Sequence, residues 1–294
     1  MSYFTIGIPA RNEALIIEKL LQLLSTVENV KNILVCVNNS IDETEEIVKR
    51  KCNNQIKLLN STPGKGNALC QIIYNCETEF LIMMDADCET TTSDLERLMF
   101  DLKKNTIVAA NVKYDLTNID FFSKKLMYEI PDFRKFKIET GFGKPYNLIG
   151  CLYGINKLVL DELNNKQNFI NLLPNIINED LFISRIFQNA NHTIFLSDAI
   201  VVQKAVSANK MYRKIKRILA GNYQLNALGL VEKRNEKNNI KWVSSSFYKL
   251  YFTNFSYLIS YFFRGLFLFL LYKIAALDLL IHKKDYTRGW KKIN

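Results

Sequence analysis

Histidine is almost missing from this chain, with 2 residues in 294, and none of its 6 cysteines forms a Cys-x-x-Cys pair. These shortages exclude the common zinc-ligand patterns, and unpaired cysteines of this kind read as reduced thiols in a cytosolic setting. No internal repeat is present, so the chain is not an array of stacked units. The first residues lack the basic start and apolar stretch of a secretory leader, and the active part is expected in the cytoplasm. What remains is ordinary globular material, 48% hydrophobic and 23% charged, long enough for a large α/β domain and an appendage. The formal net charge of +10 is the exception. It points to nucleic acid, an anionic membrane surface or a phosphorylated substrate.

Short apolar runs at 3–8, 33–37, 56–59, 80–84 and 107–112 read as buried strands. Between them, Ile16, Ile17, Leu20, Leu21 and Leu24 fall on one helical face. Ser40-Ile41-Asp42-Glu43 and Ser93-Asp94-Leu95-Glu96 have the spacing of capping boxes, each opening a further helix. Alternating strands and helices predict an α/β fold, a mostly parallel sheet flanked by helices on both faces. Ligands of such sheets bind beyond the carboxyl ends of the strands. Farther on, the pattern predicts a helix over 121–137, a loop at 141–145 and an apolar stretch over 148–155. A helix from Glu179, strands at 193–196 and 199–202 and a basic helix over 208–228 follow.

The strand at 80–84 delivers Asp85 and Asp87 to its carboxyl end. Two carboxylates one residue apart at a turn suit a hard cation such as Mn²⁺ or Mg²⁺, and they equally suit a solvated acidic turn. Three other loops fall at the same edge. They are Pro9-Ala10-Arg11-Asn12-Glu13, Asn38-Asn39-Ser40-Ile41-Asp42-Glu43-Thr44 and Pro63-Gly64-Lys65-Gly66-Asn67. A glycine-lysine loop entering a helix suits a phosphate, and ordinary turn and cap chemistry also explains such loops.

In combination these motifs resemble the inverting glycosyltransferases of family 2, which have the GT-A (nucleotide-diphospho-sugar transferase-like) fold. Pro9, Asn12 and Glu13 match the family's Pro-x-x-Asn-Glu. Ser40, Asp42 and Thr44 match its second loop, where Asn38 and Asn39 stand in place of aspartates. Lys65 and Gly66 match the glycine-lysine loop, and Asp85 and Asp87 match the metal motif. Asn178-Glu179-Asp180 resembles the Glu-Asp motif of the acceptor side. The resemblance therefore implies Asp180 as general base beside Glu179, and Mn²⁺ or Mg²⁺ at Asp85 and Asp87. It implies a donor site with Pro9, Arg11, Asn12, Glu13, Asn39, Asp42, Lys65, Gly66 and Asp85, and an acceptor site at Gly150 and Gly154. Arg217, with Arg213 one turn earlier, aligns with the arginine of a family Gln-x-x-Arg-Trp segment whose cations meet the donor diphosphate, although Ile218 replaces the tryptophan. The resemblance adds both to the donor site as a clamp, and a solvated basic face suits them equally. The expected reaction moves a sugar from a nucleotide diphosphate, a UDP-sugar above all, to a carbohydrate or lipid-linked acceptor.

The expected organisation is a GT-A domain over 1–230, divided into a nucleotide-binding half (1–112) and an acceptor half (113–230). A charged linker over 231–241 precedes an aromatic and basic segment over 242–294. Arg264 interrupts its apolar run, and Lys283, Lys284, Arg288, Trp290, Lys291 and Lys292 crowd its end. Aromatic residues flanked by cations suit attachment to the inner face of the cell membrane rather than a single span, and they also suit a protein interface. Two rival functions stay open: a sugar nucleotidyltransferase, and a non-catalytic basic module for membranes or nucleic acid. Exposed Asp85 and Asp87 argue against nucleic acid, since a polyanion binder gains nothing from them.

Overall fold

In a computed structural model of the chain, residues 2–124, 146–230, 266–267 and 269–278 are described. One eight-stranded sheet organises them, in the order β3-β2-β1-β4-β7-β6-β8-β5. Its strands are β1 (Phe4–Ala10), β2 (Val30–Val37), β3 (Ile56–Asn60), β4 (Phe80–Met84), β5 (Cys88–Glu89), β6 (Ile107–Asp115), β7 (Leu152–Asn156) and β8 (Phe195–Lys204). The helices are α1 (Ile17–Leu24), α2 (Thr44–Lys51), α3 (Lys65–Tyr74), α4 (Thr92–Leu102), α5 (Lys157–Gln167), α6 (Glu179–Asn189) and α7 (Ala208–Ala227).

The continuous apolar runs have a simple cause. Alternate residues of one strand enter cores on opposite faces of the sheet. Ile33, Val35 and Val37 of β2 and Phe80, Ile82 and Met84 of β4 join one core, with Ile17 and Leu21 of α1. Leu34 and Cys36 of β2 and Leu81 and Met83 of β4 join the other, with Leu69 and Ile72 of α3 and Phe182 of α6. Thus α1 and α3 cover opposite faces, and the chain changes side at β1, which pairs in parallel with both β2 and β4. That reversal opens a crevice between the carboxyl ends of β1 and β4, where open α/β sheets bind ligands.

The parallel order ends at β4. Strand β7 runs antiparallel to both β4 and β6, so the sheet is mixed beyond the first four strands. Antiparallel pairing brings the start of β7 to the carboxyl end of β4: Leu152 lies opposite Met84, and the Asp85 amide donates to the Cys151 carbonyl at 3.0 Å. The two strands expected at 193–196 and 199–202 are one strand, β8, whose pairing with β6 shifts register between Ala109 and Asn111.

Helix starts also differ from the expected boxes. Thr91, not Ser93, caps α4, its hydroxyl oxygen accepting the Asp94 amide at 3.1 Å. Helix α2 begins at Thr44 without a side-chain cap from Ser40, which is engaged elsewhere. Of the helix expected over 121–137, one turn, Phe121–Ser123, is seen. The remainder of that helix, the 141–145 loop, the 231–241 linker, Arg264 and the basic tail lie outside the described residues.

Helical residues 269–278 lie on α7. Ala275 is buried with Leu219 and Ala220 of α7 and with Ile177, and the Asp278 carboxylate accepts from Tyr212 and Lys216.

Candidate active site

The loops after β1 and β2 are knotted together by hydrogen bonds. The Asn12 amide donates to the Ser40 hydroxyl at 3.0 Å, Glu13 to Thr44 Oγ1 at 2.8 Å and Ala14 to Asp42 Oδ2 at 3.1 Å. In return the Ile41 amide donates to Asn12 Oδ1 at 2.9 Å. Both Asn12 (φ 59°) and Asn39 (φ 52°) hold left-handed backbone, which asparagine tolerates better than most residues. A third loop joins through Asn38, whose Oδ1 accepts the Gly64 amide at 2.9 Å. These bonds explain why Asn, Ser, Asp and Thr fill the two motifs: each lends a short polar side chain to a neighbouring backbone.

At the centre of the crevice, the Lys65 ammonium donates to Asp85 Oδ1 at 2.7 Å. The glycine-lysine loop thus spends its cation on a carboxylate of the Asp85-Ala86-Asp87 turn. Gly66 is buried, and a side chain there would begin 1.9 Å from the Leu173 carbonyl oxygen. Its smallness serves the packing of α3.

Asp180 approaches from the other side. Asn178 caps α6 by accepting the Leu181 amide at 3.4 Å, which sets Glu179 and Asp180 in the first helical turn. A Cβ on Gly150 would fall 2.4 and 2.5 Å from the two Asp180 carboxylate oxygens, so only glycine leaves room for them. Since Gly150 precedes β7, and β7 starts beside Asp85, the Asp180 carboxylate is brought to the end of β4. Helix α7 braces this arrangement. Gly221 lets it approach Asn178, where an added Cβ would lie 2.6 Å from the Asn178 Cβ. Gln224 accepts the Ile177 amide at 2.9 Å and donates to the Asn175 carbonyl at 2.7 Å.

Crowded carboxylates shift one another's protonation. Loss of water, with Asp87, Asp42 and Asp85 nearby, pushes Glu13 up to about 7, against a downward pull from Lys204. Asp87 is raised by desolvation and by the Asp85 charge, with Lys65 opposing. Burial raises Glu179 to about 7, moderated by Lys65 and reinforced by Asp180. Burial also raises Asp180, while Lys65, Arg217 and the Gly150 amide favour its charged form. For Lys65 itself burial disfavours the charge, but Asp85, Asp180 and Glu179 outweigh it and hold the ammonium well above its usual range.

The structure therefore assembles Pro9, Asn12, Glu13, Asn39, Asp42, Lys65, Asp85, Asp87, Gly150, Glu179 and Asp180 at one edge of the sheet. Arg217 acts electrostatically on Glu179 and Asp180. Arg11 and Arg213 are exposed. Gly154 lies within β7, where a Cβ would strike Leu102 at 2.6 Å, so it serves sheet-to-α4 packing. Sequence reasoning missed Lys204, Gln224 and the bracing role of Gly221, because no local motif marks any of them. A groove of about 610 Å³ lined by Ser93, Glu96, Arg97, Phe100 and Asp198 contains none of the predicted site residues.

For a divalent cation, Asp85 and Asp87 offer hard oxygen ligands, the chemistry that Mn²⁺ and Mg²⁺ favour. Among the described residues no group of three or more His, Cys, Asp or Glu is arranged to hold a metal. Two carboxylates still suffice for an ion whose other ligands are substrate phosphates and water.

The sequence profile described as Glycosyl transferase family 2 matches residues 5–165. Among solved structures, the chain is similar to glucosyl-3-phosphoglycerate synthase from Mycobacterium tuberculosis in complex with Mn²⁺, UDP and glucosyl-3-phosphoglycerate. The TM-score is 0.54 at 14% identity, over 79% of this chain and 82% of that one. It is also similar to the mannosyltransferase PcManGT from Pyrobaculum calidifontis in complex with GDP-Man and Mn²⁺. There the TM-score is 0.56 at 16% identity, over 95% of this chain and 79% of that one. No curated protein sequence matches the chain.

Two measurements probe this geometry. Gly150→Ala should displace the Asp180 carboxylate and lower turnover about 100-fold with the circular dichroism spectrum intact, because a displacement near 1 Å has effects of that order. A variant with wild-type turnover would show that the contact does not matter. The second concerns pH. Glu179 titrates near 7 in the folded chain against an ordinary 4.5, so the folded state binds its proton more tightly. Its stabilising contribution is present below pH 4.5 and is lost as pH rises to about 7. Urea midpoints of Glu179→Gln should therefore fall less between pH 5 and pH 8 than those of the wild type; equal slopes would contradict the assignment.

Proposed function

Because the chain belongs to glycosyl transferase family 2 and is a glycosyltransferase, we propose that it transfers a sugar, with inversion, from a nucleoside-diphosphate donor to a hydroxyl acceptor. A UDP-sugar is the proposed donor and a carbohydrate or lipid-linked hydroxyl the proposed acceptor. The observation that carries this reading is the Asp180 carboxylate seated against Gly150 at the end of β4, beside the Lys65–Asp85 pair.

The donor nucleotide lies along the knotted loops of Asn12, Glu13, Asn39 and Asp42, in the crevice between β1 and β4. Its diphosphate reaches Asp85 and Asp87. Those two carboxylates would hold Mn²⁺ or Mg²⁺, which would offset charge on the departing diphosphate. The acceptor enters from the side of α6 and α7. Asp180 takes the proton of the acceptor hydroxyl as its oxygen attacks the anomeric carbon. The bond to the diphosphate breaks on the opposite face of the sugar, so a single displacement inverts the centre and needs no protein nucleophile. Glu179, held near neutrality, adds little competing negative charge beside this base. Arg217 supports the ionised form of Asp180.

The C-terminal segment is proposed to rest on an anionic membrane surface at the cytoplasmic face. Among the described residues no helix is long and apolar enough to cross a membrane. However, Leu266, Phe269, Leu270, Ile274 and Leu277 are each about half exposed, with exposed Lys273 among them. Exposed apolar residues on a helix beside a basic tail are the composition of interfacial attachment.

Calorimetry with UDP, GDP and dTDP, each with Mn²⁺ and after chelation, tests the donor reading on wild type and Asp180→Asn. One nucleotide should bind in a metal-dependent way to both proteins, while Asp180→Asn turnover falls at least about 100-fold. Near-normal turnover in that variant would remove Asp180 as the base. For the membrane reading, the Leu270→Glu/Leu277→Glu double variant should sediment with anionic vesicles at least about five-fold less than the wild type. Equal sedimentation would sink it.

A further inference from the structure

Lys204 ends β8 at the same sheet edge as the crevice, since β8 runs parallel to β6, and β6 lies antiparallel to the β7 that opposes β4. Its backbone is fixed from two sides. Lys204 pairs with Asp115 of β6, and Gln203 pairs with Cys88 of β5. Lys204 and Asp87 are the residues immediately beyond the last paired residues, Gln203 and Cys88. Its side chain is exposed, and its charge is felt by Glu13 across the crevice.

The other cations of the site have different commitments. Lys65 is bonded to Asp85 at 2.7 Å, and Arg217 acts on Glu179 and Asp180 at the acceptor side. Arg213 is exposed on α7, and Lys216 is paired with Asp278. The nearest rival for Lys204 is Asp115, whose carboxylate already accepts from the Thr117 amide at 2.9 Å and hydroxyl at 2.8 Å. Among the described residues Lys204 makes no ion pair within 4.0 Å. Glu13, Asp42, Asp85 and Asp87 meanwhile crowd four carboxyl groups on this side of the crevice, and Lys65 is bonded to one of them. A nucleoside diphosphate entering there gains from a cation on this side that is not already paired with a carboxylate.

We infer that Lys204 binds the distal phosphate of the donor's nucleoside diphosphate and stabilises the charge that develops on it as the sugar departs. This role rests on the donor site proposed above and is separate from the clamp expected of Arg213 and Arg217. A lysine suits it, being a point charge on a flexible stem that follows a phosphate through bond breaking. The position left no motif, because it depends on β5 pairing with β8 across more than 100 residues of sequence.

The test compares nucleoside diphosphate with monophosphate. Calorimetry with Mn²⁺ measures UDP and UMP, or GDP and GMP if the chain selects guanine, on wild type, Lys204→Met and Lys204→Arg. Loss of one charge-assisted contact should weaken the diphosphate about ten-fold or more in Lys204→Met and change the monophosphate less than about two-fold. Lys204→Arg should recover most of that loss. Thermal midpoints of both variants should stay within about 2 °C of the wild type, as for other exposed substitutions. Unchanged diphosphate affinity in Lys204→Met, or equal weakening of diphosphate and monophosphate, would overturn the role of Lys204 while leaving the donor site intact. A wild-type chain that binds no nucleoside diphosphate would overturn the donor site and this role together.

Discussion

The Lys65–Asp85 ion pair is the contact on which the site depends. Five carboxylates, those of Glu13, Asp85, Asp87, Glu179 and Asp180, converge on one end of the sheet from three segments more than 70 residues apart in sequence. Burying like charges together is costly unless a cation compensates. Lys65 bonds to the first carboxylate of the Asp85-Ala86-Asp87 turn and lies within electrostatic reach of Asp180 and Glu179. Its ammonium thereby links the carboxylates at the end of β4 to those at the start of α6. It belongs to the first turn of α3, and α3 is pressed into place by the contact between Gly66 and Leu173.

The second constraint is the reversal at β7. A sheet parallel throughout would carry the residues before β7 to the opposite edge from Asp85. Antiparallel pairing instead sets Cys151 against Asp85 and leaves Gly150 facing Asp180. The acceptor half is therefore not a separate module attached to a nucleotide-binding half. Its carboxylate is positioned by a strand inserted into the same sheet, between β4 and β6. This is also why the Asp180 carboxylate sits at a sheet edge that parallel-strand reasoning identifies from the first half of the chain alone.

That division describes what was legible in advance. Strand β4 was readable to the residue, because a run of five apolar positions ending in Asp85 has no other comfortable reading. The motifs of the first three loops and the start of α6 at Glu179 were equally legible, since turn and cap chemistry is local. What escaped is pairing across long sequence distances. The two capping boxes misled because a serine in the right place can serve another loop, as Ser40 serves Asn12. Gly154 suggested close approach of a sugar, whereas Leu102 occupies that space. Lys204 sits at the end of an unremarkable strand, and only the β5–β8 pairing reveals its place at the site.

The same long-range logic connects the C-terminal residues to Asp180. Asp278 ties Tyr212 and Lys216 of α7, and Ala275 is buried against Leu219 and Ala220. Helix α7 in turn fixes Ile177 through Gln224 and lies against Asn178 through Gly221, directly before Glu179 and Asp180. The donor loops are held by a different set of bonds, among Asn12, Ser40, Asp42 and Asn38. Residues 269–278 are therefore connected through α7 to the start of α6. The Asp180 carboxylate lies at the end of that line of contacts, and the bonds among the loops after β1 and β2 lie apart from it.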